Sequence, residues 1–295
     1  MTKGMTTLEF YRVRVIRLNP LIVLGALFGI AEALAVRLEW RNYDFWRIIG
    51  SGGLAALSLP SYLIPHNGLA FPINNPVWSL FFELAANFLF ALIARYLTRS
   101  WLIAITAFSA IFLFNEAMHL GTMDGGWLKG TLHVGVARVM FGFFCGLLLH
   151  RFRPRRPLPA IWGYVLIAAL AVILLEPYKF WAKSHLVFVL AVFPVMIWLG
   201  SAVVETSFIV RAGKFLGALS YPLYILHRPQ LDASTVLLFQ RFNPHAHWLP
   251  LWWTLQVAGA IAIAWPAMKL YDEPVRAWLS RVTRRSPPIA QPATV

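Results

Sequence analysis

Asn75-Pro76-Val77-Trp78-Ser79-Leu80-Phe81-Phe82-Glu83 opens an apolar run that continues to about Leu97 and is long enough to cross a bilayer. The run carries a single carboxylate near its start, Glu83. An ionisable group in hydrocarbon costs at least about 2–3 kcal/mol, so Glu83 needs a partner or a water-filled cavity. Two readings stand open at this point. Glu83 is a structural carboxylate satisfied by a neighbouring Arg or Trp, or it has a catalytic or binding role.

This run is one of several. Of the 295 residues 59% are hydrophobic and only 13% charged, about half the charged share of a soluble domain. The apolar residues fall in long blocks rather than on periodic faces. The chain therefore reads as all-α, a polytopic membrane helix bundle of about eight spanning helices plus one re-entrant or interfacial segment. The net charge of +14 does not point to nucleic acid, because most Lys and Arg lie in short loops beside apolar runs, as the positive-inside rule expects. Cys145 stands alone, which excludes an intrachain disulfide and a Cys-based zinc site. Met1 to Arg17 lacks a small-residue cleavage site after an apolar core, so no cleavable signal is read.

Upstream of the opening stretch, Pro65 to Pro76 is an outer loop free of Lys, Arg, Asp and Glu. Ile48 to Leu63 is apolar but short, and it contains Gly50, Gly52, Gly53 and Pro60, which suits a segment that does not cross. Charge parity agrees. If that segment crossed, Arg151, Arg153, Arg155 and Arg156 would land outside; if it does not, every strongly basic loop lands inside. Leu18 to Val36 is the first span, with Asn19-Pro20 suited to a helix start. Before it, Arg12, Arg14 and Arg17 form either a positive-inside anchor or a phosphate clamp.

Downstream, the expected spans are Val77–Leu97, Trp101–Met118, Thr131–His150, Ala160–Leu175, Leu186–Val204, Phe215 to about Leu238, and Leu251–Tyr271 with a kink at Pro266. Gly121 to Gly130 is a Gly-rich outer loop. Arg138 falls near mid-membrane and is expected to face the bundle interior, with Glu83 as a candidate partner. Residues 1–285 make one membrane domain, and Ser286 to Val295 a Pro-rich, disordered cytoplasmic tail. Both termini are expected inside.

No HExxH, Walker loop, GxSxG elbow or Rossmann fingerprint occurs. His245 and His247, beside Trp248, fit an outer loop better than a metal site. His227 differs because it lies deep and next to a proline, in Ser220-Tyr221-Pro222-Leu223-Tyr224-Ile225-Leu226-His227-Arg228-Pro229. On a helix starting at Phe215 it sits about 18 Å in, near mid-depth, and Glu83 sits about 9 Å into its own helix, so both could line one cavity. Asp272 and Glu273 suit capping or pairing with Arg276 better than an acid–base dyad.

Four stretches, in order, resemble the membrane-bound acyltransferase-3 family of O-acyltransferases. Phe10 to Pro20 is similar to its basic F-x-x-R-R-x-x-R-x-x-P segment, with Val13 in place of one Arg and Arg14 and Arg17 matching the R-x-x-R pair. Asn75 to Glu83 resembles N-x-x-W-S-L-x-x-E and is complete at Trp78, Ser79 and Glu83. Gly217 to Pro229 resembles G-x-x-S-Y-x-x-Y-x-x-H-x-P, with Arg228 where Trp is usual. Tyr271 to Leu279 resembles the closing Y-x-x-E-x-P segment, shortened around Glu273-Pro274.

The resemblance implies a membrane O-acyltransferase with acyl-CoA as co-substrate, no permanently bound cofactor and no metal. Its acceptor would be a hydroxyl of a surface or secreted glycan or a lipid-linked sugar, and its setting the bacterial inner membrane. It implies catalytic roles for Glu83 and His227, CoA binding by Arg14 and Arg17, and substrate contacts by Trp78, Ser79, Arg138 and Tyr221. Members of the family open with two further helices, the first bearing a His proposed as base. Eight crossings plus those two make the family's ten, so the expectation is a chain lacking them. The alternatives are an inactive truncated remnant or partner subunit, and a small-molecule transporter, for which the expected inverted halves are not found.

Overall fold

A computed structural model of the chain describes residues 6–35, 44–64, 66–175, 182–204, 206–242 and 248–283. The 286–295 tail and the His245–His247 pair lie outside the described residues. Eleven α-helices run in order among the described residues: α1 (Thr7–Ala35), α2 (Phe45–Ala56), α3 (Val77–Ile93), α4 (Arg99–Leu120), α5 (Leu132–Arg151), α6 (Ile161–Leu175), α7 (Ala182–Val187), α8 (Phe193–Gly200), α9 (Ser207–Phe242), α10 (Leu249–Pro266) and α11 (Glu273–Thr283). Among the described residues extended pairing is limited to two isolated bridges, Leu69 with Leu128 and Leu158 with Val203.

Among the described residues five helical stretches are long and apolar enough to cross a membrane: Thr7–Ala35, Val77–Tyr96, Arg99–Leu120, Lys129–Arg151 and Leu249–Thr283. They make the chain an integral membrane protein. Ile161–Leu175 and His185–Gly200 are apolar but shorter. The 12-residue α2 reaches only about 18 Å, too short to span. The 36-residue α9 has the length, yet it is not among the five. Its interior carries Tyr221, Tyr224, His227, Arg228, Gln230 and Asp232, which lower its hydropathy.

Two sequence boundaries are corrected. The first span does not start at Asn19-Pro20, because α1 begins at Thr7 and passes through Pro20. Tertiary contacts extend it: Phe10 packs tilted against Phe90 and Tyr11 edge-on against Phe88 of α3, and the Thr7 hydroxyl donates to the Ala91 carbonyl. At the other end the last helix does not stop at Tyr271. It widens into one π-type turn over Ala267–Asp272 and continues as α11, with Pro274 tolerated in its first turn. Ion pairs Lys269–Glu273 (2.7 Å) and Asp272–Arg276 (2.6 Å), each four residues apart, support that continuation.

α1 is the most enclosed of the five, half of its apolar window lying inside the molecule. Leu18, Leu21 and Ile22 join Ala70, Phe71, Val77, Leu80, Ile225 and Leu226 in one buried cluster that binds α1, α3 and α9. A second cluster sets Ala26 and Ala33 of α1 against Ile48 and Ala55 of α2 with Ile64 and Ile73.

The molecule has two distinct ends. At one, the start of α1 meets the ends of α3 and α11: the Arg12 guanidinium donates to the Thr283 carbonyl, and Arg151 donates to Leu97 O at 3.1 Å. Arg12, Arg14, Arg17, Arg95 and Arg151 make this the basic end. At the other, residues 57–64, 66–76 and 121–131 knit a cap: Ala70 N donates to Trp127 O (3.0 Å) and Lys129 Nζ to Ile64 O (3.4 Å). Lys129 also lies 5.0 Å from the Tyr62 ring centroid.

Gly29 lets the cap segment touch α1. A Cβ there would lie 2.2 Å from the Ile73 carbonyl oxygen, a backbone atom with no rotamer to swing away. Gly29→Ala is expected to lower stability by about 1–3 kcal/mol, read as a lower Tm of the detergent-solubilised protein. An unchanged Tm would mean that residues 57–64 and 66–76 are free to move off α1.

Candidate functional site

α3 supplies Trp78, Ser79 and Glu83 from its first two turns, near the cap. Asn74 and Asn75 form the turn that starts it, their carbonyls accepting from Val77 N (3.1 Å) and Trp78 N (3.0 Å). Glu83 follows about 9 Å into the helix. It is half-buried, and among the described residues its carboxylate has no ion-pair or hydrogen-bond partner; only its backbone carbonyl is engaged, by Asn87 Nδ2 at 2.8 Å. The carboxylate lies within electrostatic reach of Tyr221 and Tyr224 of α9. The expectation of a satisfied structural carboxylate therefore finds no support in its surroundings.

The expected Glu83–Arg138 pair is absent. Arg138 instead donates from Nη1 to the Gly125 carbonyl (2.7 Å), and its guanidinium lies 5.0 Å from the Trp78 ring centroid. The physical reason is local. The outer loop offers a carbonyl, and Trp78 a π face, to a cation that enters α5 near the cap. Gly126, at φ +106°, and Gly135 bring loop and helix this close: a Cβ on Gly126 would lie 2.9 Å from the Trp78 ring, and one on Gly135 would lie 2.2 Å from the Phe82 ring. Arg138 does face the interior side of the bundle, as expected, and Tyr224 is within its electrostatic reach.

α9 supplies the facing groups. The Tyr221 hydroxyl donates to Leu18 O of α1 at 2.6 Å. Tyr224, one turn on, shares a 2.7 Å hydrogen bond with Ser79 Oγ, which also reaches Pro76 O at 3.2 Å. Asn74 Nδ2 donates to Ile225 O at 3.1 Å, and its own Oδ1, like that of Asn75, is buried without a partner. These contacts place Tyr224 and Ile225 level with the start of α3.

His227 is correspondingly nearer the cap than expected. α9 begins at Ser207, not Phe215, so His227 lies about 30 Å along it. Its Nδ1 is 2.8 Å from Tyr224 O and 3.2 Å from Leu223 O. Carbonyl oxygens only accept, so Nδ1 carries a proton, and in the neutral ring Nε2 is the nitrogen with the lone pair. No contact joins His227 directly to Glu83. Tyr224 links them, its ring 6.2 Å from the imidazole and its hydroxyl on Ser79, one helical turn before Glu83. Arg228, where the resembled motif has Trp, turns away into an exposed pair with Asp232 at 2.9 Å.

Toward the basic end the same side of α9 continues the polar file. Tyr221 lies within electrostatic reach of Arg17, Asp272 and Arg276 as well as Glu83. Asp272 is 1% exposed and pairs with Arg276, as the sequence suggested; its Oδ1 and Arg276 Nε remain without partners. Arg17 is exposed, and Arg14 stands 5.3 Å from the Phe10 ring centroid. Neither arginine has an acidic partner among the described residues. Arg12, by contrast, is spent on Thr283.

The expected site residues thus form a file rather than one cluster: Arg14 and Arg17, then Tyr221 with Asp272 and Arg276, then Glu83, then Tyr224, Ser79, Trp78 and Arg138, with His227 beside the cap. Asn74, Tyr224 and Asp272 were not among the expected site residues. Tyr224 was findable, since Tyr221 and Tyr224 at i, i+3 share a helix face. The file holds an unpaired carboxylate, an imidazole, and hydroxyl and guanidinium donors along α3 and α9, open to the surface at Arg17 and Tyr224. That is a set able to move a proton and stabilise a developing oxyanion.

A family model described as an acyltransferase domain matches residues 1–269, which take in every group of this file except Asp272 and Arg276. No curated protein and no solved structure gives a match.

Proposed function

The chain belongs to the acyltransferase-3 family, and from that membership we propose that it is a membrane O-acyltransferase. It moves an acyl group, acetyl in the first instance, from acyl-CoA to a hydroxyl of a surface or secreted glycan or a lipid-linked sugar. The observation that carries this reading is the unpaired Glu83 carboxylate in a polar file that runs between a basic end and a capped end.

The basic end faces the cytoplasm in this reading, as the positive-inside rule directs, with both termini there and the protein in a bacterial inner membrane. All eight expected crossings are needed to put every basic loop on that side. Arg14 and Arg17, free of acidic partners, take the phosphates of acyl-CoA. The thioester then lies along Tyr221 toward Glu83. Glu83 accepts a hydrogen bond from the acceptor and aligns its hydroxyl, while Trp78 offers a flat apolar face to a sugar ring. His227 Nε2 takes the hydroxyl proton as the oxygen attacks the thioester carbonyl. The oxyanion is held by donors from the Tyr224–Ser79 pair and Arg138. Its collapse breaks the C–S bond, and the proton passes to the departing CoA sulfur. The products are an O-acyl ester and free CoA.

The test is acyl transfer from radiolabelled acetyl-CoA in membranes carrying the chain, scored as base-labile label on saccharide and as released CoA. Release of CoA without an acylated hydroxyl would exclude the O-acyltransferase reading in favour of thioester hydrolysis. Arg14→Ala with Arg17→Ala is expected to raise the KM for acyl-CoA about tenfold or more, and to flatten its salt dependence, with kcat little changed. An unaltered KM would make the two arginines topology anchors only.

A further inference from the structure

A cavity of about 570 Å³ opens at the basic end, lined by Phe90, Ala94 and Arg95 of the α3 end, Leu97 and Leu102 near the start of α4, and Leu147, His150 and Arg151 of α5. Its volume suits a small headgroup rather than a single ion. The lining is divided. Phe90, Leu102 and Leu147 form an apolar floor, while Arg95, His150 and Arg151 stand at the rim. Arg151 is fixed by its bond to Leu97 O, and Arg95 lies 4.5 Å from the Tyr96 ring centroid. None of the three has an acidic partner among the described residues. Outside the rim, Leu92, Trp101 and Ile103 are exposed on the bundle surface, where acyl chains would lie.

We propose that this cavity binds the phosphate headgroup of an anionic phospholipid, with Arg95 and Arg151 on the phosphate and an acyl chain running outward along α3 and α4. Arginine matches phosphate geometry with paired N–H donors. Basic pockets between helices at the inner face of a membrane are suited to such headgroups. The exposed apolar surface joined to the rim selects a lipid over a free phosphate. The lining shares no residue with the file through Tyr221 and Glu83, but Phe90 packs on Phe10, the ring beside Arg14, so CoA is one of the ligands tested.

The experiment is thermal unfolding of the purified full-length chain in detergent, with phosphatidylglycerol, phosphatidylcholine or CoA added. Phosphatidylglycerol is expected to raise Tm by several degrees and phosphatidylcholine not to. In Arg95→Gln with Arg151→Gln the phosphatidylglycerol shift should vanish, while Tm without lipid stays near that of the unaltered chain. Equal shifts with both lipids, or a shift that survives in the double variant, would overturn the proposal. So would a shift given by CoA alone and lost in the double variant, which would hand the cavity to the acyl donor. Should the double variant not fold, a photoactivatable phosphatidylglycerol on the unaltered chain decides. Crosslinks within 90–102 and 147–151 uphold the site, and crosslinks confined elsewhere refute it.

Discussion

Glu83→Gln is expected to cut acyl transfer by about three orders of magnitude while the protein still inserts and folds. Gln keeps the size and the hydrogen-bonding shape of the side chain but loses its charge and one acceptor. Were Glu83 half of a buried ion pair, the change would strand a partner and destabilise the fold by about 3–5 kcal/mol. Here no partner exists among the described residues, and Arg138 is held by Gly125 O and Trp78 instead. Stability and activity should therefore separate. The measurement is label transfer beside Tm for the same preparation. Full activity in Glu83→Gln would remove the carboxylate from the reaction, and a joint fall of Tm and activity would return it to a structural role.

His227→Ala should lower kcat about a hundredfold or more, and added imidazole should restore part of it. Nδ1 is committed to Tyr224 O and Leu223 O, so only Nε2 is available to take a proton. A cavity the size of the lost ring would admit imidazole from solution. Rescue separates a chemical role from a packing one, because a ring that merely fills space beside Tyr224 would be replaced without regard to basicity. Equal rescue by a non-basic ring such as pyrrole would place the base elsewhere.

Much of this architecture could be read from the chain alone. Long apolar blocks report helices directly, and α3, α4 and α5 fall within a few residues of their expected spans. α2 is short enough to fit the expected non-crossing segment. The errors arose where tertiary contacts override local signals. Asn19-Pro20 looks like a helix start because proline suits one, but Phe10, Tyr11 and Thr7 dock on α3 and carry the helix back through it. Tyr271 looks like the end of the last span because charged Asp272 follows it, but the pairing of Asp272 with Arg276 and its burial against the bundle keep the chain helical. In the site, residue types were legible and pairings were not. Nothing in the order of residues says that Arg138 will find a glycine carbonyl rather than Glu83, since loop 121–131 is placed in part by partners distant in sequence, Ala70 N on Trp127 O and Lys129 Nζ on Ile64 O.

The polar interior of α9 has a consequence for how that helix meets a bilayer. α9 is not among the stretches apolar enough by composition to cross a membrane, and the Gln230 amide finds its partner outside the helix, whereas the Ser234 hydroxyl also bonds the Gln230 and Leu231 carbonyls of its own turn. Gln230 and Ser234 both bond to Gln256 of α10, at 2.6 and 2.9 Å, and Gly259 leaves room beside Gln230. α10 belongs to a stretch apolar enough to insert. If α9 crosses the bilayer, it does so as one half of an α9–α10 pair whose polar side chains meet at Gln256.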